Sequence, residues 1–264
     1  ITNLPRLVGQ QPIILVGNKK DLLPKSTNEN KVIQWLRSVV KAIHMPVEDV
    51  FLISSVKGHG IEVLMEKMDA YRKGRDVYIV GTTNVGKSTF INRMIKGSSG
   101  LDHVITTSYY PGTTLGFIHI PLDDRSFLID TPGILNKKQM VHYVSKEDLK
   151  RITPKKEIKP RTYQLSGGQT LFFGGLARLD IIKSEKKSFV CYFSNDVPIH
   201  RTKTANATTL YHQQVGKLLT PPDEKTLKKL PAFTMNTYKI GDERVDIVFP
   251  GLGWVTIIGG DVTV

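Results

Sequence analysis

Residues 81–88 read Gly-Thr-Thr-Asn-Val-Gly-Lys-Ser and match the phosphate-loop pattern G-x-x-x-x-G-K-[ST]. The loop follows an apolar run and precedes a helix predicted over 89–95. Backbone N–H groups of such a loop surround phosphate oxygens, while Lys87 adds positive charge near the β- and γ-phosphates and the Ser88 hydroxyl binds Mg²⁺. The alternative is a glycine-rich strand–helix turn with a surface lysine. The predicted nucleotide contacts of this loop are Thr83, Asn84, Val85, Gly86, Lys87, Ser88 and Thr89.

A second motif could identify a base. Residues 18–21 read Asn-Lys-Lys-Asp, an N-K-x-D pattern after the apolar run 12–17. The carboxylate of Asp21 can accept both N1–H and N2–H₂ of guanine, a pair of donors that adenine lacks. Asn18 would tie this loop to the phosphate loop, and the stem of Lys19 can cover the base face. Alone the motif is weak, since polar loops after strands often contain these residue types.

A third loop follows the next apolar run. Ser54, Ser55 and Val56, with Gly58 and Gly60 after them, resemble the S-A-x-x-G-x-G loop whose backbone N–H meets the guanine O6 atom. A plain turn is the alternative interpretation. The segment is therefore informative only in combination with the two loops above.

The residues expected around a γ-phosphate come last. Residues 130–133 fit D-x-x-G, in which Asp130 holds Mg²⁺ through water and the Gly133 N–H senses the γ-phosphate. Residues 111–114 supply a switch threonine, and we favour Thr114 over Thr113 as the Mg²⁺ ligand. The alternative is that either threonine is present only for its high β-strand propensity. Five motifs that all fall at the ends of predicted strands indicate guanine nucleotide binding, with Mg²⁺ held by Ser88, Thr114 and Asp130.

Helical and apolar segments alternate around these loops, which predicts an α/β fold with a mostly parallel sheet. The order of the motifs is unusual, because the base-reading loops precede the phosphate loop and only residues 71–75 join the two halves. We interpret residues 1–136 as a circularly permuted P-loop GTPase domain. A complete domain of this type needs another strand and most of a helix, which we expect upstream of Ile1.

Residues 137–264 differ from the first part of the chain in composition and predicted secondary structure. Residues 137–160 are predicted to be a helical, basic linker, and residues 161–264 a smaller β-rich domain. The formal net charge is +13, and residues 137–264 hold 21 Lys and Arg against 12 Asp and Glu. This excess is typical of a surface that meets a polyanion, although a merely solvated basic surface is an alternative.

A lone cysteine, Cys191, excludes an internal disulfide and a multi-cysteine zinc site within these residues. Its aromatic and aliphatic neighbours predict a small apolar residue in a strand. Cysteine usage favours a reducing compartment, and we expect the cytoplasm. No membrane-spanning run or signal peptide is visible, so no membrane partner is predicted.

The motifs and their order resemble the circularly permuted ribosome-assembly GTPases, most closely the YqeH family. The resemblance covers 1–136 and extends to residues 246–249 (Asp-Ile-Val-Phe) and 251–254 (Gly-Leu-Gly-Trp). It implies GTP and GDP as ligands, a role in maturation of the small (30S) ribosomal subunit, and an RNA-binding C-terminal domain. The zinc finger usual in that family is absent here, so no zinc is assigned. We assume a monomer.

Two residues bear on catalysis by the predicted set Asn84, Lys87, Thr114, Asp130 and Gly133. Ile134 stands where many GTPases place a glutamine that orients the attacking water, so slow intrinsic turnover is expected. Asn84 resembles the asparagine of potassium-activated GTPases, or is simply a residue that tolerates the turn. We therefore expect Mg²⁺-dependent hydrolysis that K⁺ accelerates and Na⁺ does not. The rivals are a P-loop ATPase and an RNA-binding scaffold that nucleotide stabilises with little turnover; no haem, flavin or nicotinamide motif supports a redox synthase.

Overall fold

The structure, a computed structural model, describes residues 11–82, 84–97, 118–131, 140 and 143–264. The chain divides into two compact units, Ile1–Asn136 and Lys137–Val264. No helix in the described parts of either unit is both long and apolar enough to cross a bilayer.

The first unit alternates strands and helices as its periodicity predicts. In chain order its elements are β1 (Ile14–Gly17), a 3-10 turn (Lys20–Leu22), α1 (Glu29–Ala42), β2 (Asp49–Leu52), α2 (Ile61–Arg72), β3 (Val77–Ile79), α3 (Lys87–Gly97), β4 (Ile118–Pro121) and β5 (Phe127–Asp130). Strands β1 and β2 pair in parallel, β3 pairs in parallel with β5, and β4 pairs antiparallel with β5. Strands β4 and β5 thus form an antiparallel hairpin, and α3 begins two residues before the start predicted at 89.

The two small sheets of this unit share buried side chains. One cluster joins Met68 of α2 to the apolar face of α3 and to Leu128 of β5. Ile14 of β1 packs against this cluster and also against a second one around Ile53. Among the described residues no strand pairs with the second edge of β1 or of β3. A further strand supplied from upstream stays a prediction.

The second unit contains helices as well as strands. Its elements are α4 (Lys146–Ile152), β6 (Arg161–Leu165), β7 (Gln169–Phe173), β8 (Ala177–Ile181), β9 (Lys187–Phe193), β10 (Ile199–Lys203), α5 (Thr204–Gln214), α6 (Glu224–Leu227), β11 (Lys239–Ile240), β12 (Val245–Phe249), β13 (Gly253–Ile257) and β14 (Val262–Thr263). Antiparallel sheets run in the orders β10-β7-β8 and β12-β13-β9-β6. Both contribute to one core rich in phenylalanine. Cys191 lies in β9 within that core, as predicted, and its burial raises the pKa of the thiol to about 12.

The segment between the predicted domains has a more limited helix than expected. Within its described residues, 140 and 143–160, the α-helix covers only Lys146–Ile152. Ser145 caps this helix by accepting a hydrogen bond from the Asp148 N–H at 3.0 Å. Ile152 is 2% exposed and belongs to the core of the second unit. The helix is thus packed on the unit that follows it.

Candidate nucleotide site

The base-reading loop after β1 is bonded directly to the phosphate loop after β3. Asn18 Nδ2 donates to the carbonyl oxygens of Val85 and Gly86, at 3.2 and 3.4 Å. Lys19 Nζ donates to the carbonyl oxygen of Asn84 at 2.6 Å. These contacts join residues that are 65 to 68 positions apart in the chain. Two loops predicted independently from the sequence therefore form one site.

Backbone geometry makes this approach possible. Gly86 has φ +93°, and a Cβ at this position would lie 2.5 Å from Asn18 Nδ2. Only glycine meets both requirements, since other residues are strained at this φ and their Cβ would displace the amide. Lys19 and Asn84 also lie in the left-handed region, with φ 66° and 64°. Burial lowers the pKa of Lys19, an effect partly opposed by the nearby charge of Asp21.

The serines after β2 organise the base-reading side chains. Ser54, which is fully buried, donates from Oγ to Asp21 Oδ1 at 2.5 Å. Ser55 donates to Asn18 Oδ1 from its N–H at 3.1 Å and from its hydroxyl at 3.0 Å. Ser54 thus holds one carboxylate oxygen of Asp21 in place, and no described group donates a hydrogen bond to the other. Val56, the third predicted base contact in this loop, is 63% exposed.

The carboxylate at the end of β5 faces the phosphate-loop lysine. Lys87 Nζ lies 3.3 Å from Asp130 Oδ1 and donates to the carbonyl oxygen of Thr131 at 2.5 Å. Asp130 Oδ1 is buried, and no group among the described residues donates a hydrogen bond to it. Apart from its ion pair with Lys87, this oxygen has no described partner, which suits it to accept from a water ligand of a bound cation. Ser88 and Thr89 are exposed at the first turn of α3.

These donors fit the predicted Mg²⁺ site as far as they are described. A phosphate-loop magnesium takes one hydroxyl, one carboxylate and phosphate oxygens. Such a site needs no cluster of His, Cys, Asp and Glu, and the described part of the chain holds no cluster of three such residues. The predicted site residues Thr83, Thr114 and Gly133, together with Thr113 and Ile134, lie outside the described residues.

One neighbour of the site escaped prediction. Arg93 of α3 reaches the base-reading side, where a Cβ at Gly58 would lie 2.1 Å from its Nη2 atom. Gly58 has φ +80°, so its lack of a side chain serves both the turn and this contact. An exposed arginine on a helix carries no local signal for such a role. Only the fold reveals it.

Two family models match parts of the chain. Residues 76–158 match the model described as 50S ribosome-binding GTPase, and residues 186–264 match the YqeH-like C-terminal model. The first match begins just before the phosphate loop and includes Asp130. The second covers β9 to β14 of the C-terminal unit.

Similar proteins cover the chain more fully. The Bacillus subtilis protein named "Uncharacterized protein YqeH" is 54% identical over 261 residues, which span 99% of this chain and 71% of that protein. "NO-associated protein 1, chloroplastic/mitochondrial" of Arabidopsis thaliana is 34% identical over 95% of this chain and 50% of its own length. "GTPase Der" of Coxiella burnetii is 35% identical over 36% of this chain and 24% of its own length.

A phosphate loop bonded to an N-K-x-D loop, in a chain with these matches, defines a GTP-binding protein with a GTPase domain and a C-terminal domain of mixed α and β structure. The chain belongs to the YqeH family.

Proposed function

We propose that this protein hydrolyses GTP to GDP and phosphate at the site formed by the two bonded loops. The observation that carries the proposal is the bonding of Asn18 and Lys19 to the phosphate-loop carbonyls, which brings a guanine-selective carboxylate and a phosphate-binding lysine to one edge of the fold. A circularly permuted order of the motifs is part of the proposal. In that order the base-reading half is synthesised first.

The residues have distinct tasks in this proposal. Asp21 selects guanine, Lys87 offsets charge on the β- and γ-phosphates, and the backbone of 83–86 surrounds the phosphate oxygens. Ser88, Thr114 and Asp130 would hold Mg²⁺, which neutralises charge that develops on the phosphates when it is bound. The Gly133 N–H would detect the γ-phosphate. Ile134 cannot orient water by hydrogen bonding, so intrinsic turnover is slow.

Potassium activation depends on Asn84. Its left-handed backbone and the bond from Lys19 to its carbonyl hold this residue at the rim of the phosphate loop. A K⁺ ion there would supply positive charge where other GTPases use an arginine finger. The test measures hydrolysis of GTP and ATP with Mg²⁺ in KCl and NaCl at equal ionic strength. We expect the protein to hydrolyse GTP and not ATP, and to do so faster in KCl than in NaCl. Asn84→Ala should hydrolyse GTP at the same rate in both salts. Equal rates for the wild-type protein in both salts would refute activation by K⁺.

We further propose that the protein acts in assembly of the small ribosomal subunit, in the cytoplasm, through contact with that subunit or its rRNA. The support is the family membership and the basic C-terminal unit. The description of the matched GTPase model refers to the large subunit, so both subunits belong in the test. The alternative role is an RNA-binding scaffold that nucleotide stabilises with little turnover.

Co-sedimentation of the full-length protein with purified subunits addresses this role. We expect pelleting with small subunits in the presence of a non-hydrolysable GTP analogue and weaker pelleting with GDP. Binding to large subunits alone would reassign the proposal to that subunit. A protein defective only in hydrolysis that restores normal small-subunit maturation in cells would favour the scaffold instead.

A further inference from the structure

The segment 145–160, called here the basic segment, presents its lysines to solvent, while apolar residues and Arg151 hold it on the C-terminal unit. Its five lysines are all exposed. They are Lys146, Lys150, Lys155, Lys156 and Lys159. None of them is paired with a carboxylate among the described residues. Their charge is therefore available to a partner.

Anchors of a different kind fix the segment in place. Ile152 and Ile158 are 2% and 7% exposed, so the chain is fastened by apolar burial on both sides of residues 155 and 156. Arg151 Nη1 donates to Thr220 Oγ1 at 3.0 Å. These contacts preorganise the segment, which reduces the entropy lost when its backbone meets a partner.

Of the two acidic residues on α4, Asp148 is turned inward and Glu147 is exposed. Asp148 is 2% exposed, and its Oδ2 atom accepts a hydrogen bond from the Asp223 N–H at 2.9 Å. Lys146 and Lys150 are four residues apart on α4 and share the face away from Asp148. The segment thus exposes five lysines and, on α4, a single carboxylate, that of Glu147.

We propose that the basic segment is the surface by which this protein binds the phosphate backbone of RNA. Lysine is a point-charge partner for phosphate, and a row of lysines matches a polyanion. Protein–protein interfaces are instead depleted of lysine and depend on large apolar or aromatic anchors. No large hydrophobic side chain is exposed among the described residues of 143–160. The chemistry therefore favours RNA over a protein surface.

This inference rests on the proposed ribosomal role and adds the surface that carries it. The segment follows the D-x-x-G motif along the chain. RNA bound here would therefore contact residues that come shortly after Gly133, the predicted γ-phosphate sensor. The lysines belong to the second unit, whereas the described residues of the nucleotide site belong to the first. Removing their charge should leave GTP hydrolysis unchanged.

The test measures binding of the full-length protein to a small-subunit rRNA transcript over a series of salt concentrations. The variant Lys150→Gln/Lys155→Gln/Lys156→Gln should bind more weakly and lower the slope of log K against log salt by about three, one for each phosphate that is no longer neutralised. The matched control Lys186→Gln/Lys203→Gln/Lys239→Gln removes three exposed charges from outside the segment and should change the slope by less than about one. Arginine at 150, 155 and 156 should retain the wild-type slope.

Each remaining outcome is decisive. Equal losses in the variant and the control would overturn the assignment to this segment while leaving RNA binding intact. Absence of salt-dependent RNA binding by the wild-type protein would overturn both this inference and the proposed contact with rRNA. Equal affinity and slope for polyglutamate would show that the segment does not distinguish RNA from an acidic polypeptide and would overturn the RNA assignment.

Discussion

Gly86 shows how much of the site depends on one residue. Its φ of +93° and its closeness to Asn18 Nδ2 leave no room for a side chain. Gly86→Ala should therefore strain the phosphate loop by roughly 1–3 kcal/mol and push the base-reading loop away. We expect weaker binding of both GTP and GDP by calorimetry. Gly74→Ala is the control, since Gly74 also has positive φ but a Cβ there would meet no atom within 4 Å; equal loss in both variants would show that backbone strain alone is responsible.

Single residues also mark what sequence can and cannot predict. Asn18, Asp21 and Lys87 were predictable because their chemistry fits one ligand and each follows an apolar run. Arg93 beside Gly58 and the bond from Ser54 to Asp21 were not, because they join distant positions through side chains that carry no local pattern. The roles of Thr114 and Gly133 stay predictions.

At the scale of elements, Arg72 ties the end of α2 to the turn between β4 and β5. Its guanidinium lies 2.5 Å from Ser126 Oγ, 2.7 Å from Asp123 Oδ2 and 2.6 Å from Asp69 Oδ1. The hydrogen bond to Asp123 is the main cause that raises the pKa of Arg72. This arginine therefore fastens the junction of the base-reading and phosphate-binding halves to the hairpin that ends in Asp130.

Arg72→Gln should lower the thermal unfolding midpoint of the first unit by a few degrees at neutral pH. Bonds from the Arg125 N–H, the Ser126 hydroxyl and Arg72 hold the pKa of Asp123 well below its usual range. A depressed carboxyl pKa adds stability above the unfolded pKa of about 3.9 and loses it as the pH falls through the folded value. The difference in thermal unfolding midpoint between Arg72→Gln and wild type should therefore become smaller in acid. The control Lys67→Gln, on the same helix, should have the wild-type midpoint at every pH.

Helices and strands of this protein differ in how well the pattern of apolar residues predicts them. Helices α1 and α2 have apolar residues at helical spacing, and β5 is a run of apolar residues, so local pattern is enough to indicate each of them. Strand β10 was not, because Ile-His-Arg-Thr-Lys has no apolar alternation and is a strand only through its pairing with β7. Long-range pairing overrides local preference in such strands.

At the scale of the molecule, each unit has its own buried core, and the described residues of the nucleotide site belong to the first unit. A ligand that binds only the native form of one unit stabilises that unit. We expect calorimetry to resolve two transitions, and GDP with Mg²⁺ at a hundredfold excess over Kd to stabilise the first unit alone by about 2.7 kcal/mol. A shift of both transitions together would mean that the units unfold as one.

We propose that Asp21 and Lys87, from loops far apart in sequence, bind the two ends of one guanine nucleotide. Competition between GTP and XTP for wild-type and Asp21→Asn proteins tests it most directly, because an asparagine amide can donate to the C2 carbonyl of xanthine and cannot accept the two guanine donors. We expect Asp21→Asn to prefer XTP, and we expect the further substitution Lys87→Ala to abolish binding of either nucleotide. Undiminished GTP preference in Asp21→Asn would contradict it.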